Sequence, residues 1–450
     1  MANNWKNKVI YQIYPRSFYD TSDNGVGDLR GIINKADYLK DLGIDYVWIS
    51  PFFKSPQFDY GYDVQDYRTV DPLFGSNKDF LELIEVFKRK NLKIMIDLVL
   101  SHTSTHHEWF LSSNSTKKNT YSDWYVWADK LNDSEPNNWL SVFGGSAWKW
   151  SEKRQAYYLH NFLEQQADLN FHNPEVQNQM LDEIRYWLDL GVDGFRFDVI
   201  NFLFHDANLR DNPPKESEKI RPLGFNKDNP YGAQYHIYDN SRPEMLPYLE
   251  KIRALLDKYN AVSVGEIVAD DFNQVMGDYT TENRLHMAYS FEFLSEEFNY
   301  DKVDSIVDNF FKTNPHSWPC WAFSNHDSTR IASRSMQTPK ELMAKLLSLK
   351  GNVCIYQGEE LGLHESELDF ANICDPFGKR FWPEFKGRDG CRTPMPWSSA
   401  EKNLGFSKTK PWLPVDIGFR NLAVDKQLNN SESNLNFFKK LIQERKQKFT

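Results

Sequence analysis

The sequence predicts an α/β protein in which a parallel sheet is covered by helices. Short apolar runs rich in β-branched and aromatic residues alternate with amphipathic stretches, among them residues 77–91, 175–190 and 339–350. This alternation is typical of βαβ units. There are eight such runs, the number that a (β/α)8 barrel requires. The pattern alone leaves a doubly wound sheet open as an alternative.

The predicted strands are apolar on both faces, as expected for strands buried in a parallel sheet. Three of them lead into a motif with an acidic residue, namely Asp198, Glu266 and Asp327. The carboxyl ends of the strands of a barrel meet on one face, so these acids are expected to lie together. The predicted strands begin at Val9, Tyr46, Lys93, Gly194, Ala261, Met287, Pro319 and Asn352.

The alternation breaks between His102 and about Asn170, where Ser, Asn, Asp and Trp are frequent. We predict a subdomain at residues 103–170 that is inserted into a barrel formed by residues 1–102 and 171–450. A second irregular stretch, residues 203–238, carries proline and charge. Long connections without regular structure are commonly functional, so we predict a flexible loop over the active site here.

Composition excludes several classes of partner. Hydrophobic residues make up 40% and aromatic residues 15% of the chain, which suits a large core and platforms that stack on sugar faces. The net charge of −10 argues against nucleic acid and anionic membranes as partners. The four cysteines lack paired spacing and predict reduced thiols. Without a signal peptide or a long apolar run, we predict a cytoplasmic protein and no membrane partner; the oligomeric state stays open.

Three acids at neighbouring strand ends indicate chemistry, because like charges resist sharing one site. A pair of carboxyl groups suits cleavage of a glycosidic bond. Any one of these acids is more often a surface or capping residue. The three together, with Arg196 and His326 beside them, favour a catalytic role.

Five further motifs accompany these acids: GYDVQDY at 61–67, DLVLSH at 97–102, QADLN at 166–170, YQGEE at 356–360 and GRDGCRTPMPW at 387–397. With them the chain resembles the α-amylase family of glycoside hydrolases, within it the oligo-1,6-glucosidase and α-glucosidase group. The resemblance implies a (β/α)8 TIM barrel with a subdomain after the third strand. Members of this group continue into a C-terminal β domain. Residues 436–450 resemble the last barrel helix, so that domain is expected to be missing from this chain.

The resemblance assigns the catalytic roles. It implies that Asp198 is the nucleophile, Glu266 the general acid/base and Asp327 a stabiliser of the transition state. Arg196, two residues before Asp198 on the same strand face, is expected to favour the ionised form of that carboxyl group. Glu266 must carry a proton at neutral pH and is expected in a less polar setting.

The resemblance also implies contacts to the sugar. His102 and His326 would bind its hydroxyl groups, and Tyr62 would form the floor beneath its ring. Asp59 and Arg392 would clamp the terminal sugar and close the pocket behind it, which implies exo action.

Three apolar residues complete the predicted pocket. Phe143 and Phe162 would line it, although each is as readily a core residue. Val199, next after the nucleophile, would bias the choice of linkage towards α-1,6 bonds.

Residues 19–29 resemble the family's loop for a structural Ca2+ or Mg2+ ion. Asp20, Ser22, Asn24, the carbonyl group of Val26 and Asp28 could present oxygen atoms to a hard cation. The alternative is a solvated acidic turn. The sequence has no zinc-ligand spacing, and no organic cofactor is predicted.

The leading prediction is a retaining exo-α-glucosidase that acts on short α-linked gluco-oligosaccharides, including α-1,6 linkages. A transglucosylase or sucrose isomerase would share every catalytic residue. A non-catalytic relative, such as the extracellular subunit of an amino-acid transporter, would have a membrane span and lack the acids. An endo-acting amylase is disfavoured by Asp59 and Arg392.

Overall fold

The structure, a computed structural model, describes residues 5–216 and 229–449. Its strands agree closely with the predicted apolar runs. In chain order they are β1 (Val9–Ile13), β2 (Tyr46–Ile49), β3 (Phe53–Lys54), β4 (Asp66–Val70), β5 (Lys93–Val99), β6 (His102–Ser104), β7 (Trp127–Ala128), β8 (Trp148–Ser151), β9 (Ala156–Leu159), β10 (Gln166–Asp168), β11 (Gly194–Asp198), β12 (Val262–Ile267), β13 (Met287–Ser290), β14 (Cys320–Ala322) and β15 (Asn352–Tyr356).

Eight of these strands form one parallel sheet in the order β13-β12-β11-β5-β2-β1-β15-β14. A parallel bridge between Ala288 and Pro319 joins the two outer strands, which closes the sheet into a ring. The predicted (β/α)8 barrel is therefore confirmed, and the doubly wound alternative is wrong. Closure matters for function because it brings eight strand ends around one opening.

Helices follow the barrel strands along the chain. In order they are α1 (Leu29–Asn34), α2 (Ala36–Leu42), α3 (Asn77–Arg89), α4 (Glu108–Ser115), α5 (Pro174–Leu190), α6 (Met245–Lys258), α7 (Phe272–Thr280), α8 (Val303–Thr313), α9 (Ile331–Arg334), α10 (Pro339–Ser348), α11 (Pro376–Phe381), α12 (Val424–Leu428) and α13 (Asn434–Lys448). The described part of the chain has no helix with the length and apolar character needed to cross a membrane.

Local sequence fixes where the barrel helices begin and end. At the start of α3, Ser76 and Asp79 form a reciprocal capping box, and Thr338 and Glu341 do the same for α10. Such boxes satisfy backbone donors that a helix start leaves free. Helix α5 ends at Gly191, whose φ of 104° is accessible mainly to glycine.

Side chains alternate between the barrel interior and the helix layer. On β2, Trp48 belongs to the interior cluster, whereas Val47 packs under the helices. On β12, Val262 and Val264 point inward, so Glu266 is the next inward residue towards the carboxyl end. The same period of two places functional side chains above an apolar barrel floor.

Residues 103–170 contain an antiparallel sheet of their own, in the order β7-β9-β8, and β10 pairs with β6 at the barrel edge. The domain boundaries drawn from the sequence stay a prediction. Of the predicted flexible loop at 203–238, residues 217–228 lie outside the described residues. In the described remainder, Pro214 bridges to Gln234.

The four cysteines are free thiols. Cys320, Cys354 and Cys391 are buried, and Cys374 is partly exposed.

Candidate active site

A cavity of about 510 Å3 opens at the carboxyl ends of the barrel strands. Nine residues singled out from the sequence line it: Asp59, Tyr62, His102, Phe143, Phe162, Asp198, Val199, Glu266 and Asp327. Arg196, His326 and Arg392 are buried behind this lining and contact residues within it.

Arg196 on β11 holds three carboxyl groups together. Its fully buried guanidinium donates from Nη1 to Oδ1 of Asp97 (2.8 Å) and to Oδ1 of Asp198 (2.6 Å). Its Nη2 lies 2.6 Å from Oε2 of Glu266. One arginine thus orients the two acids that are the candidates for nucleophile and acid/base.

Burial dominates the electrostatics of this group. It raises the pKa of Asp198 to about 7 and that of Glu266 to about 7, although Arg196 lowers both. Burial also raises the pKa of Asp97 to about 6. Arg196 favours the ionised form of Asp198, as expected, but its one positive charge serves three carboxyl groups that have lost their water. A proton can therefore stay within this group near neutral pH, as an acid/base pair requires.

Two further donors reach Glu266. The hydroxyl group of Tyr289 on β13 donates to Oε1 of Glu266 (2.8 Å) and accepts from Nη2 of Arg196 (2.8 Å). The main-chain N–H of Val199 donates to Oε2 of Glu266 (3.1 Å). Val199 has a φ of 34°, a conformation that is strained for a β-branched residue. Sequence reasoning missed Tyr289, which looks like an ordinary strand residue there.

Asp327 lies in a cationic corner of the cavity. Its Oδ1 is 2.8 Å from Nη2 of Arg392 and 3.2 Å from Nη1 of Arg388, and its Oδ2 is 3.1 Å from Nε2 of His326. Burial alone would raise the pKa of Asp327, but His326, Arg388 and Arg392 outweigh it and hold that pKa well below its usual range. Asp327 is therefore ionised at neutral pH.

Asp59 forms its ion pair with Arg388 and not with Arg392, and the predicted role of Asp59 and Arg392 in binding the terminal sugar stays a prediction. Nη2 of Arg388 donates to Oδ1 of Asp59 (2.8 Å) and to Oδ1 of Asp375 (2.8 Å). Arg392 instead donates from Nε to the main-chain oxygen of His326 (2.7 Å). The two arginines are separated by a single 3-10 turn, and only the folded turn shows which of them reaches Asp59.

The two histidines differ in their access to the cavity. His102 lines it, with Nδ1 2.9 Å from Oγ of Ser101 and Nε2 3.1 Å from the amide nitrogen of Gln166. His326 lies behind Tyr62, whose ring stacks on it at 5.3 Å. Burial lowers the pKa of His102 to about 3 and that of His326 far below its usual value. Both imidazoles are therefore neutral at physiological pH.

His326 is held in one tautomer by its partners. The amide nitrogen of Gln12 donates to Nδ1 of His326 (2.7 Å), which leaves Nε2 as the protonated nitrogen. Nε2 faces the hydroxyl group of Tyr62 and the carboxylate of Asp327. His326 thereby fixes the positions of two lining residues.

Phe143 and Phe162 form part of the cavity wall rather than of the barrel core. Their rings meet edge to face at 5.9 Å, and Phe143 stacks on Phe377 at 4.8 Å. The guanidinium of Arg388 lies 5.0 Å from the ring of Phe143. Six lining residues were not predicted, since single apolar, amide or arginine side chains carry no distinctive signal there: Val142, Gln166, Phe202, Val268, Phe291 and Arg388.

The candidate metal loop forms a hydrogen-bonded turn. Oδ2 of Asp20 accepts from the N–H of Gly25 (2.8 Å), and Oδ1 of Asp28 accepts from the N–H of Gly31 at the start of α1 (2.7 Å). Oδ1 of Asn24 accepts from the N–H of Val26 (2.8 Å). Ser22 donates from its N–H to Oδ1 of Asp20 (3.0 Å). Within the ranges that the structure describes, no three His, Cys, Asp or Glu side chains form a metal-binding group, and the structural ion stays a prediction.

Comparison with known proteins identifies the family of this site. Residues 12–450 match the model of the alpha amylase catalytic domain. The chain is 49% identical over 454 residues to a probable α-glucosidase of Rhizobium meliloti (strain 1021). The alignment covers 98% of this chain and 82% of that protein. It is 36% identical over 484 residues to an oligo-1,6-glucosidase of Parageobacillus thermoglucosidasius, and this alignment covers 98% of this chain and 84% of that protein.

A crystal structure of an α-glucosyl transfer enzyme is similar along nearly the whole chain. The TM-score is 0.96 at 53% sequence identity, with 98% of this chain and 84% of the other covered. The protein therefore belongs to the α-amylase family. It is a glycoside hydrolase, as the motifs around its three acids predicted.

Proposed function

We propose that the protein is a retaining exo-α-glucosidase that removes glucose from the non-reducing ends of short α-linked gluco-oligosaccharides, α-1,6 linkages included. One observation carries the proposal. Arg196 binds both Asp198 and Glu266 at 2.6 Å, at a cavity that the Asp59–Arg388 ion pair borders. Relatives named α-glucosidase and oligo-1,6-glucosidase support the same activity.

The proposed mechanism divides two tasks between two carboxyl groups. Asp198 attacks the anomeric carbon as its bond to the leaving oxygen breaks, and Glu266 gives that oxygen a proton. The pKa of Glu266, which burial raises to about 7, allows it to carry this proton at neutral pH. Glu266 then takes a proton from the water that releases glucose from Asp198.

Asp327 would stabilise the positive charge that develops on the sugar ring. Its pKa is held low by His326, Arg388 and Arg392 against burial, so its negative charge is in place before substrate arrives. Such preorganised charge lowers the barrier without rearrangement during the reaction. Tyr62 and His102, which line the same part of the cavity, would contact the sugar's ring face and hydroxyl groups.

The exo assignment depends on Asp59 and Arg388. Both are buried and belong to the cavity lining. Gln166 also donates to Oδ2 of Asp59 (3.2 Å). This charged group would bind the hydroxyl groups of a terminal sugar and leave no path for a chain that continues beyond it.

Product analysis tests the proposal. Proton NMR of the first products from 4-nitrophenyl α-glucoside, whose only sugar is the glucosyl unit, should show α-glucose, because two displacements at one carbon retain configuration. Initial release of β-glucose would contradict the mechanism. Asp198→Asn and Glu266→Gln should each lower kcat by at least about 10³-fold, and only Glu266→Gln should recover on substrates with a good leaving group.

Transglucosylation is the second candidate, supported by the similarity to an α-glucosyl transfer enzyme. A transferase and a hydrolase would share the glucosyl intermediate on Asp198 and differ in what attacks it.

A structural ion in the loop of Asp20 and Asp28 and a cytoplasmic location remain parts of the proposal. Metal titration followed by thermal unfolding, and cell fractionation, test them.

A further inference from the structure

A buried amide joins the two strand ends that carry the candidate nucleophile and acid/base. Asn201 lies in the 3-10 turn Ile200–Phe202, shortly after Asp198, and is fully buried. Its Oδ1 accepts from the main-chain N–H of Val268 (3.3 Å), and its Nδ2 donates to the main-chain oxygen of Val268 (2.7 Å). One side chain thus pairs with both main-chain groups of a residue that follows Glu266 by two positions.

This amide pairing continues the sheet past the point where its strands part. The register between β11 and β12 stops at Phe197 and Gly265, one residue before each acid. Beyond that point the chain turns away from the extended conformation, because Val199 has a φ of 34°. A side-chain amide offers a donor and an acceptor, as a peptide group does. Asn201 therefore supplies the next link between the two segments.

Two further hydrogen bonds anchor Asn201. Its Nδ2 also donates to Oγ of Ser241 (2.9 Å), and its main-chain oxygen accepts from the N–H of Ser241 (2.7 Å). Asn201 is thus held on the segment before α6 as well as on Val268. Loss of its side chain would leave buried main-chain groups of Val268 without partners, which is costly.

The turn that carries Asn201 also holds the strained conformation of Val199. A φ of 34° is strained for a β-branched residue and persists only where the surroundings enforce it. In this conformation Val199 accepts from the N–H of Phe202 (2.9 Å) and donates its own N–H to Oε2 of Glu266 (3.1 Å). Relaxation of the turn would withdraw this donor from Glu266.

We propose that Asn201 is a positioning residue that fixes the separation of Asp198 and Glu266 and keeps Val199 in reach of Glu266. The inference rests on the proposed function, which assigns the two acids their roles. A retaining mechanism needs the two carboxyl groups about 5–5.5 Å apart, and a displacement of about 1 Å can slow a reaction strongly. Donation from Val199 also favours the ionised form of Glu266. Asn201 thereby acts on the acid/base through the main chain.

Two substrates separate loss of positioning from general damage. Maltose needs a proton from Glu266 for its leaving group, whereas α-glucosyl fluoride needs little protonation. Asn201→Ala should therefore raise the ratio of kcat/KM on the fluoride to that on maltose at least about tenfold. The alkaline limb of the maltose pH profile should move up by about 0.5 pH unit or more, because ionised Glu266 loses a donor. An unchanged ratio would overturn the inference, whatever happens to thermal stability.

Asn352→Ala is the matched control. Asn352 begins β15, at the end of the barrel opposite the cavity, and is also fully buried. It donates to the main-chain oxygen of Trp5 (2.9 Å) and accepts from Nε1 of Trp318 (2.9 Å). The control should lose thermal stability as Asn201→Ala does, with the substrate ratio and pH profile of the wild type. An equal rise of the ratio in the control would overturn the inference.

Ser241→Ala decides the question if Asn201→Ala does not fold. Ser241 is partly exposed, and its substitution removes one acceptor of the Asn201 amide. The substrate ratio should rise at least about twofold, and an unchanged ratio would overturn the positioning role. A wild-type enzyme that releases glucose from neither substrate would instead contradict the proposed hydrolysis. An active wild type with insensitive variants overturns the role of Asn201 alone.

Discussion

The hydroxyl group of Tyr289 lies 2.8 Å from Oε1 of Glu266 and donates a hydrogen bond to it. The two residues face each other across paired strands, because Glu266 on β12 is in register with Tyr289 on β13. The same hydroxyl group accepts from Arg196, which strengthens it as a donor. Tyr289 is therefore a positioning residue for the candidate acid/base, held by strand register and not by a loop.

Tyr289→Phe should shift the alkaline limb of the pH–rate profile to higher pH. The hydrogen bond from Tyr289 lowers the pKa of Glu266, so its loss should raise that pKa. A bond worth about 1 kcal/mol corresponds to roughly 0.7 pH unit. The profile of kcat/KM on maltose measures the shift. A variant whose rate falls uniformly, with an unmoved alkaline limb, would indicate a merely structural role.

Asp198→Asn should stabilise the folded protein at neutral pH. Burial raises the pKa of Asp198 from its ordinary value near 4 to about 7. A raised pKa favours the folded state below the unfolded value, and that contribution is lost as pH rises from about 4 through about 7. At pH 7 and above, the ionised and buried carboxylate of Asp198 lowers the stability of the folded state. The neutral amide of asparagine removes this destabilisation.

Thermal unfolding at several pH values measures this effect. The gain from Asp198→Asn should be on the order of 1 kcal/mol at pH 7.5 and smaller near pH 4.5. Asp182→Asn, on the exposed surface of α5, is the control and should show no such trend. A loss of stability at pH 7.5 would mean that the contact with Arg196 outweighs burial.

Arg388→Lys should weaken binding of the terminal sugar. Lysine keeps the charge but not the planar fork that reaches Asp59 and Asp375 together. Loss of one charged hydrogen bond costs about 2 kcal/mol, roughly a 30-fold fall in kcat/KM on maltose. Arg392→Lys should act through Asp327 and lower kcat instead. Full activity of the Arg388 variant on disaccharides would refute the exo clamp.

The choice of linkage is predicted to depend on Val199. Val199→Thr keeps the β-branched shape, and with it the strain of a φ of 34°, so only the added hydroxyl group is tested. One pocket contact is worth about 1–3 kcal/mol of discrimination. The ratio of kcat/KM on isomaltose to that on maltose should fall. If the ratio is unchanged, linkage is selected elsewhere in the cavity.

The alternation of side chains along the strands, with a period of two residues, predicted much of this site from the sequence. The spacing of Arg196 and Asp198 placed both on one strand face, and the structure joins them at 2.6 Å. Apolar runs ending in acids likewise placed Glu266 at the cavity. Such predictions succeed because strand alternation is local and the carboxyl ends of barrel strands converge in every closed barrel.

Only the tertiary structure shows which side chains of the site contact one another. Whether Arg388 or Arg392 reaches Asp59 depends on the direction of one 3-10 turn packed against a distant loop, which sequence spacing does not encode. Tyr289 reaches Glu266 because of register between two strands, and the apolar part of the cavity lining gathers residues from five separate segments of the chain. The pKa values near 7 also arise only from folding, because burial and the sharing of one guanidinium by three carboxyl groups do not exist in the unfolded chain.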